Sequence, residues 1–383
     1  MPNLFQHRRN YFRPTWREEL AENKVLSIVG LVLILWGGYI SFTNERQTVR
    51  THQSLDEGYK KIVLPQTLKV VFEENNGKPV WLAGNLDVKD ELSDKSYGIS
   101  ITAVKLWKRV QRYQWYEEER SDRGPGEYDY YTDWFQDYIN SADFAHSLGH
   151  HNPEDWPINS TILTNSRVKI GGFLLGTDLK EKFDEEFIPF TSDERPPPSS
   201  GIKMHAGLYF HAKDVWSPEV GDIRIQFSYA GRHGEPYTVI GMQSGREIRP
   251  YQTENGEELL LLHPGIKRVD QVFLAERKGT RFQMWTYRFI GWILSFIGFS
   301  CIGSILEILV DDYPVVRSTL SLGSANLSFS CSVAVTLIII GFSWLIYRPF
   351  LGILLFVIAL SPFVIAGYQF YLQRVFETNH RLS

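Results

Sequence analysis

The sequence predicts an α-helical membrane protein with four crossings, one N-terminal and three C-terminal, and a large strand-rich α+β extramembrane domain between them. Two observations carry this expectation. Apolar residues gather into four blocks, and the long middle is charged, aromatic and in places patterned with period two. The 383 residues are enough for two ordinary domains. The expected order is a cytosolic tail over 1–24, a first span over 25–42 and a soluble domain over 43–287. Spans over 288–310, 325–346 and 350–372 follow, with a short loop at 311–324 and a tail at 373–383.

The first block, Val25 to Phe42, contains no charge. At 1.5 Å per residue it covers roughly 27 Å, close to the hydrocarbon thickness of a bilayer. A signal peptide is the competing reading, but the block is longer than a usual apolar core, follows a charged leader and lacks a small-x-small cleavage pattern. Between the third and fourth blocks lie only Tyr347, Arg348 and Pro349, which requires a tight helical hairpin turning at the interface. Trp36, Tyr39, Trp285, Tyr287, Trp292, Trp344, Tyr347, Tyr368 and Tyr371 fall near block ends, where aromatic belts sit. Pro362 is expected to kink the fourth span, and Gly291, Ser295, Gly298 and Gly303 to allow close helix packing. Glu307 reads as a carboxylate reaching the headgroups, with an intramembrane coupling site as the alternative.

Four crossings put both termini on one side and the middle domain on the other. Arg8, Arg9, Arg13, Arg17 and Lys24 favour a cytosolic N-terminus. Arg277, Lys278, Arg281 and Arg288 oppose this, but long translocated domains weaken the charge rule on their side.

Within the middle region, Leu68–Phe72, Ile101–Trp107 and Ile223–Tyr229 alternate like strands. Arg109–Tyr116 and Tyr130–Tyr138 form a predicted hairpin whose bend contains Gly124, Pro125 and Gly126. Leu174–Phe187 is patterned as a short amphipathic helix, and Glu194–Gly201, with its three prolines, as an exposed loop.

The chemistry is sparse. Both cysteines, Cys301 and Cys331, lie in apolar blocks, which leaves the soluble region without a disulfide or thiolate site. The net charge of −4 argues against nucleic-acid binding. His146, His150 and His151 form the sharpest constellation, because an i, i+4 His pair on a helix can share a metal. No further ligand is fixed nearby, and Gly149, Asn152 and Pro153 point to packing or capping instead. His205, His211 and His263 are scattered on strand-like segments. Glu117, Glu118 and Glu119 read as a solvated strand edge, since adjacent acids on a strand face opposite ways. No nucleophile elbow, P-loop, dinucleotide fingerprint or metalloprotease helix occurs, so no catalytic, metal or cofactor residue is assigned. Asn159-Ser160-Thr161 is a glycosylation acceptor pattern and favours a lumenal domain. Asn326-Leu327-Ser328 fits the same pattern at a membrane boundary.

Several segments carry a resemblance. They are FTNE at Phe42–Glu45, SLDEG at Ser54–Gly58, YGISITAVKLWKRVQRYQW at Tyr97–Trp115, INSADF at Ile139–Phe144 and GHHNP at Gly149–Pro153. PEVGDIRIQFSYAG at Pro218–Gly231, LLLLHPG at Leu259–Gly265 and WLIYRP at Trp344–Pro349 complete the series. In order and spacing these resemble the LUMA family, also called the transmembrane protein 43 family, over nearly the whole chain. One departure is that Asn44-Glu45 runs directly into Arg46, without the glycine common in the family. The resemblance implies the endoplasmic reticulum and inner nuclear membrane, with the large domain in the lumen. It also implies self-association, and partnership with emerin-like inner nuclear membrane proteins and lamins. Bacterial relatives would place the domain in the periplasm. The function expected is a non-enzymatic scaffold organising complexes at the nuclear envelope. The alternative is a membrane-tethered enzyme or lipid-handling protein with a site in the soluble domain, which requires polar groups such as His150, His151 and His211 to converge. A channel or transporter fits less well, because Glu307 is the one acid in the spans.

Overall fold

The computed structural model describes residues 24–120, 126–192, 196–197, 200–303, 324–347 and 349–382. The basic leader up to Arg17, Gly124, Pro125, Glu307, Arg348, half of the loop at 194–201 and most of that at 311–324 lie outside this set. The chain divides into two units, Met1–Leu55 with Phe273–Ser383, and Asp56–Val272. Five α-helices are described: α1 (Lys24–Lys61), α2 (Thr177–Glu181), α3 (Val269–Cys301), α4 (Ser324–Tyr347) and α5 (Pro349–Leu382).

The first unit is built on helices. Two stretches, the 38-residue α1 and Ser328–Leu345 within α4, are long and apolar enough to cross a membrane. A shorter apolar helical stretch covers Pro349–Ser361, and α5 continues unbroken through Pro362. Helix α1 runs nineteen residues past the end of its apolar block at Phe42. No glycine or proline interrupts it between Gly38 and Gly58, and Lys60 and Lys61 sit in the last turn, where cations suit the helix dipole. Helix α3 likewise begins well before its apolar block, with the Arg268 backbone N–H donating to Gln271 Oε1 (3.0 Å) at its start. Hydropathy therefore marks the apolar part of each helix and misses the rest.

Helices α1 and α3 are antiparallel and meet backbone to backbone at two glycine pairs, Gly30 with Gly298 and Gly37 with Gly291. A Cβ added to Gly30 would stand 2.7 Å from the Gly298 carbonyl oxygen, and one on Gly298 would stand 2.6 Å from that of Gly30. At Gly37 the corresponding distance to the Gly291 oxygen is 2.5 Å. Asn44 extends the series by donating to the Met284 carbonyl (3.1 Å). Contacts thus recur every seven residues on both helices, the spacing that keeps one seam facing its partner. Gly291, Ser295 and Gly298, expected to pack closely, do lie in this contact; Gly30 and Gly37 are the partners that supply its other side. In the α4–α5 hairpin, a Cβ on Gly352 would stand 2.9 Å from the Gly341 oxygen.

Among the described residues the second unit carries seventeen strands. In chain order the first nine are β1 (Pro79–Val88), β2 (Leu92–Asp94), β3 (Ile99–Ile101), β4 (Ala103–Glu119), β5 (Tyr128–Phe135), β6 (Thr161–Thr164), β7 (Val168–Ile170), β8 (Phe173–Leu175) and β9 (Ile188–Phe190). The rest are β10 (Lys203–His205), β11 (Leu208–His211), β12 (Ile223–Arg232), β13 (Pro236–Ser244), β14 (Glu247–Arg249), β15 (Tyr251–Gln252), β16 (Glu258–Leu259) and β17 (Leu261–Pro264). One sheet has the order β1-β7-β8-β14-β13-β17, and β1 also pairs with β13, which closes the pairing on itself. The other runs β10-β11-β12-β4-β5, with β6 on β4 and β9 on β12. Alternation on β12 distributes side chains between two cores. Ile223, Ile225 and Phe227 join Tyr97, Ile99, Leu106 and Tyr209, whereas Ala230 joins Val80, Leu82, Ile170, Leu179 and Phe183.

The expected strands over Ile101–Trp107 and Ile223–Tyr229 are present, as is the long hairpin, with Arg112 opposite Phe135 and Glu119 opposite Tyr128. Leu68–Phe72 is not a strand. Two of its carbonyls are taken by distant parts of the chain, Leu68 accepting from the Gly172 N–H (2.7 Å) and Phe72 from Gln243 Nε2 (2.7 Å), in place of a ladder. The helix expected over Leu174–Phe187 is shorter, because Leu174 and Leu175 belong to β8 and the chain tightens to a 3₁₀ turn at Lys182–Glu185.

Candidate functional site

The histidines weighed for metal binding are dispersed. No helix covers His146 to His151, so the i, i+4 geometry does not arise. His150 lies flat on Tyr130 (centroids 3.9 Å apart, planes 9° apart), with Trp115 edge-on at 4.8 Å. Its Nδ1 is 3.0 Å from the His146 carbonyl, while His151 is exposed. Tyr130 donates its hydroxyl to Glu117 (3.1 Å) and accepts the His146 backbone N–H (2.8 Å). Glu117 therefore braces the hairpin, and Glu118 and Glu119 are exposed. His211 packs elsewhere, its Nε2 3.0 Å from the Tyr97 hydroxyl, and burial makes it harder to protonate than a free histidine. Among the described residues, no three His, Cys, Asp or Glu side chains gather as a metal-ligand group.

Asn152, named from the sequence only as a sign of packing or capping, braces the hairpin from outside it. Fully buried, it accepts the Trp115 N–H (2.8 Å) and donates to the carbonyls of Trp115 (2.9 Å) and Ile139 (3.0 Å). One amide thus satisfies the edge of β4 and anchors the returning chain. Its only sequence signal is an Asn before a proline after two histidines. Asn159 is exposed just ahead of β6, and Ser160 Oγ accepts the Val110 N–H (3.0 Å).

The most highly organised polar group lies in the helical unit. Glu45 on α1 is 1% exposed and Arg288 on α3 is 7% exposed. Arg288 holds the carboxylate with both arms, Nε to Oε1 at 2.5 Å and Nη2 to Oε2 at 2.9 Å. Trp344 on α4 donates Nε1–H to the same Oε2 (2.9 Å). The guanidinium also lies over the rings of Trp285 (4.9 Å) and Trp344 (5.5 Å). A buried charge is tolerated only when paired and hydrogen-bonded, and here each partner comes from a different helix. With both oxygens engaged by donors, Glu45 clamps α1, α3 and α4 together. Beside it, a cleft of about 370 Å³ opens between α1 and α3, lined by Thr43, Asn44, Thr48, Thr280, Met284 and Tyr287. Thr43 and Thr280 turn their hydroxyls back onto carbonyls one turn earlier (2.8 and 2.9 Å), and among the described residues no charged side chain lines the cleft.

Reading Arg288 as a membrane-flanking cation and Trp344 as an interfacial aromatic identified two of the three members without their shared purpose. The missing signal is Glu45, an acid three residues beyond an apolar block, with an arginine at the start of the next block to answer it.

Comparison with known proteins converges on one family. The family model described as Transmembrane protein 43 matches residues 112–349. Transmembrane protein 43 of Rattus norvegicus is 35% identical over 370 residues, covering 92% of each chain. The Homo sapiens protein of that name is 34% identical over the same length and coverage. Transmembrane protein 43 homolog of Drosophila melanogaster is 34% identical over 365 residues, 91% of this chain and 95% of its own. No solved structure matches.

Proposed function

Because this chain belongs to the transmembrane protein 43 family, we propose that it is a non-enzymatic, multi-pass scaffold of the endoplasmic reticulum and inner nuclear membrane. In this reading four helices cross the bilayer, both termini face the cytosol or nucleoplasm, and the strand-rich domain lies in the lumen. The protein self-associates and gathers emerin-like inner nuclear membrane proteins and lamins, thereby organising the nuclear envelope.

The observation that carries the reading is the Glu45–Arg288–Trp344 clamp. It fixes the arrangement of three helices without leaving a carboxylate free for acid–base work. A rigid platform of this kind suits a protein that presents surfaces to partners. The enzyme alternative needs convergent polar groups, and its histidines are separately engaged, His150 with Tyr130 and His211 with Tyr97.

The test is proximity labelling in cells, with a biotin ligase fused after Ser383 of the full chain. Emerin-like proteins and lamins are expected to be labelled well above a matched multi-pass protein confined to the reticulum. Labelling equal to that control contradicts the scaffold assignment.

A further inference from the structure

The second unit contains a cleft of about 710 Å³ whose polar lining no part of the scaffold reading uses. Three loop-like pieces build it. Gly171 and Gly172 make the two-residue turn between β7 and β8, and Gly171 has φ +61°. Gly245 and Arg246 make the turn between β13 and β14, and Gly245 has φ +60°. Both are the tight turns that positive φ permits. The segment from Lys69 to Asn76 crosses between them, held by the Gly172 N–H on the Leu68 carbonyl (2.7 Å) and the Gly245 N–H on Asn76 Oδ1 (2.8 Å).

This arrangement brings three cations to one cavity from distant parts of the chain, Lys69, Lys169 and Arg246. Lys169 faces it because its neighbours Val168 and Ile170 are buried in the core on the opposite face of β7. None of the three has a side-chain hydrogen bond or ion pair among the described residues, and Glu73 is the one acid in the lining. Unpaired cations around a concave surface concentrate an anion.

A second, independent feature is Gln243, which lines the cleft and is 0% exposed. Its Nε2 donates to the Phe72 carbonyl (2.7 Å), but its Oε1 is buried without a partner among the described residues. A buried acceptor left unsatisfied is costly and asks for a donor. Inorganic phosphate as its dianion keeps a single O–H, and a phosphate monoester dianion has none of its own, so a donor must come from elsewhere on the ligand. A ligand carrying both an anionic phosphate and hydroxyl groups satisfies the cations and the amide oxygen together.

We propose that this cleft binds a phosphorylated polyol of the inositol phosphate or glycerophosphate class. Its phosphate sits among Lys69, Lys169 and Arg246, and a hydroxyl donates to Gln243. The same chemistry occurs in free metabolites and in lipid headgroups. The inference stands independently of the scaffold assignment.

Full-length protein in phosphatidylcholine nanodiscs would be titrated calorimetrically with myo-inositol 1-phosphate and with inorganic phosphate. The inositol phosphate is expected to bind about tenfold or more tighter than phosphate, from its added hydroxyl contacts. Lys69→Glu/Arg246→Glu, both exposed positions, is expected to weaken it by at least about tenfold with an unchanged thermal midpoint. Lys213→Glu, a reversal of an 85%-exposed charge outside the cleft lining, is expected to leave binding unchanged. If the free compound is silent but vesicles of phosphatidylinositol capture the wild type and not the double variant, the source is a headgroup and the site stands. Absence of binding in both formats, binding no tighter than phosphate, or equal loss in Lys213→Glu overturns the proposal.

Discussion

Replacing Glu45 with alanine is expected to destabilise the helical unit by about 3–5 kcal/mol, the usual cost of leaving one partner of a buried ion pair uncompensated. Arg288 would keep its charge at 7% exposure with no carboxylate, and Trp344 would lose its acceptor. The paired replacement Glu45→Leu/Arg288→Met removes both charges and is expected to recover most of that loss, since apolar substitutes for buried pairs are often neutral. The comparison is read from unfolding of the full chain in nanodiscs. A single-variant loss of only about 0–1 kcal/mol would mean that the pair is solvated and that Glu45 clamps nothing.

Adjacent glycines on α1 should respond in opposite directions to the same substitution. Gly37→Ala is expected to cost about 1–3 kcal/mol, because its new methyl would sit 2.5 Å from the Gly291 carbonyl oxygen and the helix backbones must separate. Gly38→Ala meets, among the described residues, only Ile339 Cδ1 at 3.4 Å, an ordinary contact, and should gain up to about 1 kcal/mol from helix propensity. Thermal midpoints of the two variants measured in parallel provide the check. Equal effects would show that the α1–α3 seam does not depend on backbone contact.

These two results depend on relations that the linear sequence conceals. Apolar blocks were readable because membrane-scale hydrophobicity is local, and β12 was readable because its alternation is imposed by two cores on opposite faces. The hairpin ending at Phe135 was legible from paired aromatic runs. The failures share a cause. Leu68–Phe72 alternates like a strand, yet its carbonyls are taken by Gly172 and Gln243, more than a hundred residues away. Glu45 and Arg288 are 243 positions apart, and only the seven-residue glycine register of α1 and α3 brings them level. In the GHHNP segment the histidines drew the eye, whereas the buried Asn152 does the structural work.

Family membership and the two apolar helices establish a membrane protein; the scaffold account adds four crossings and a lumenal domain. Protease protection on sealed microsomes tests that addition directly, with one epitope in the Pro196–Gly201 loop and another after Ser383. The account predicts that the loop epitope is protected, that the terminal epitope is cut, and that Asn159→Gln removes a glycan from the protected fragment. A loop epitope cut in intact vesicles would place the domain in the cytosol and contradict the account.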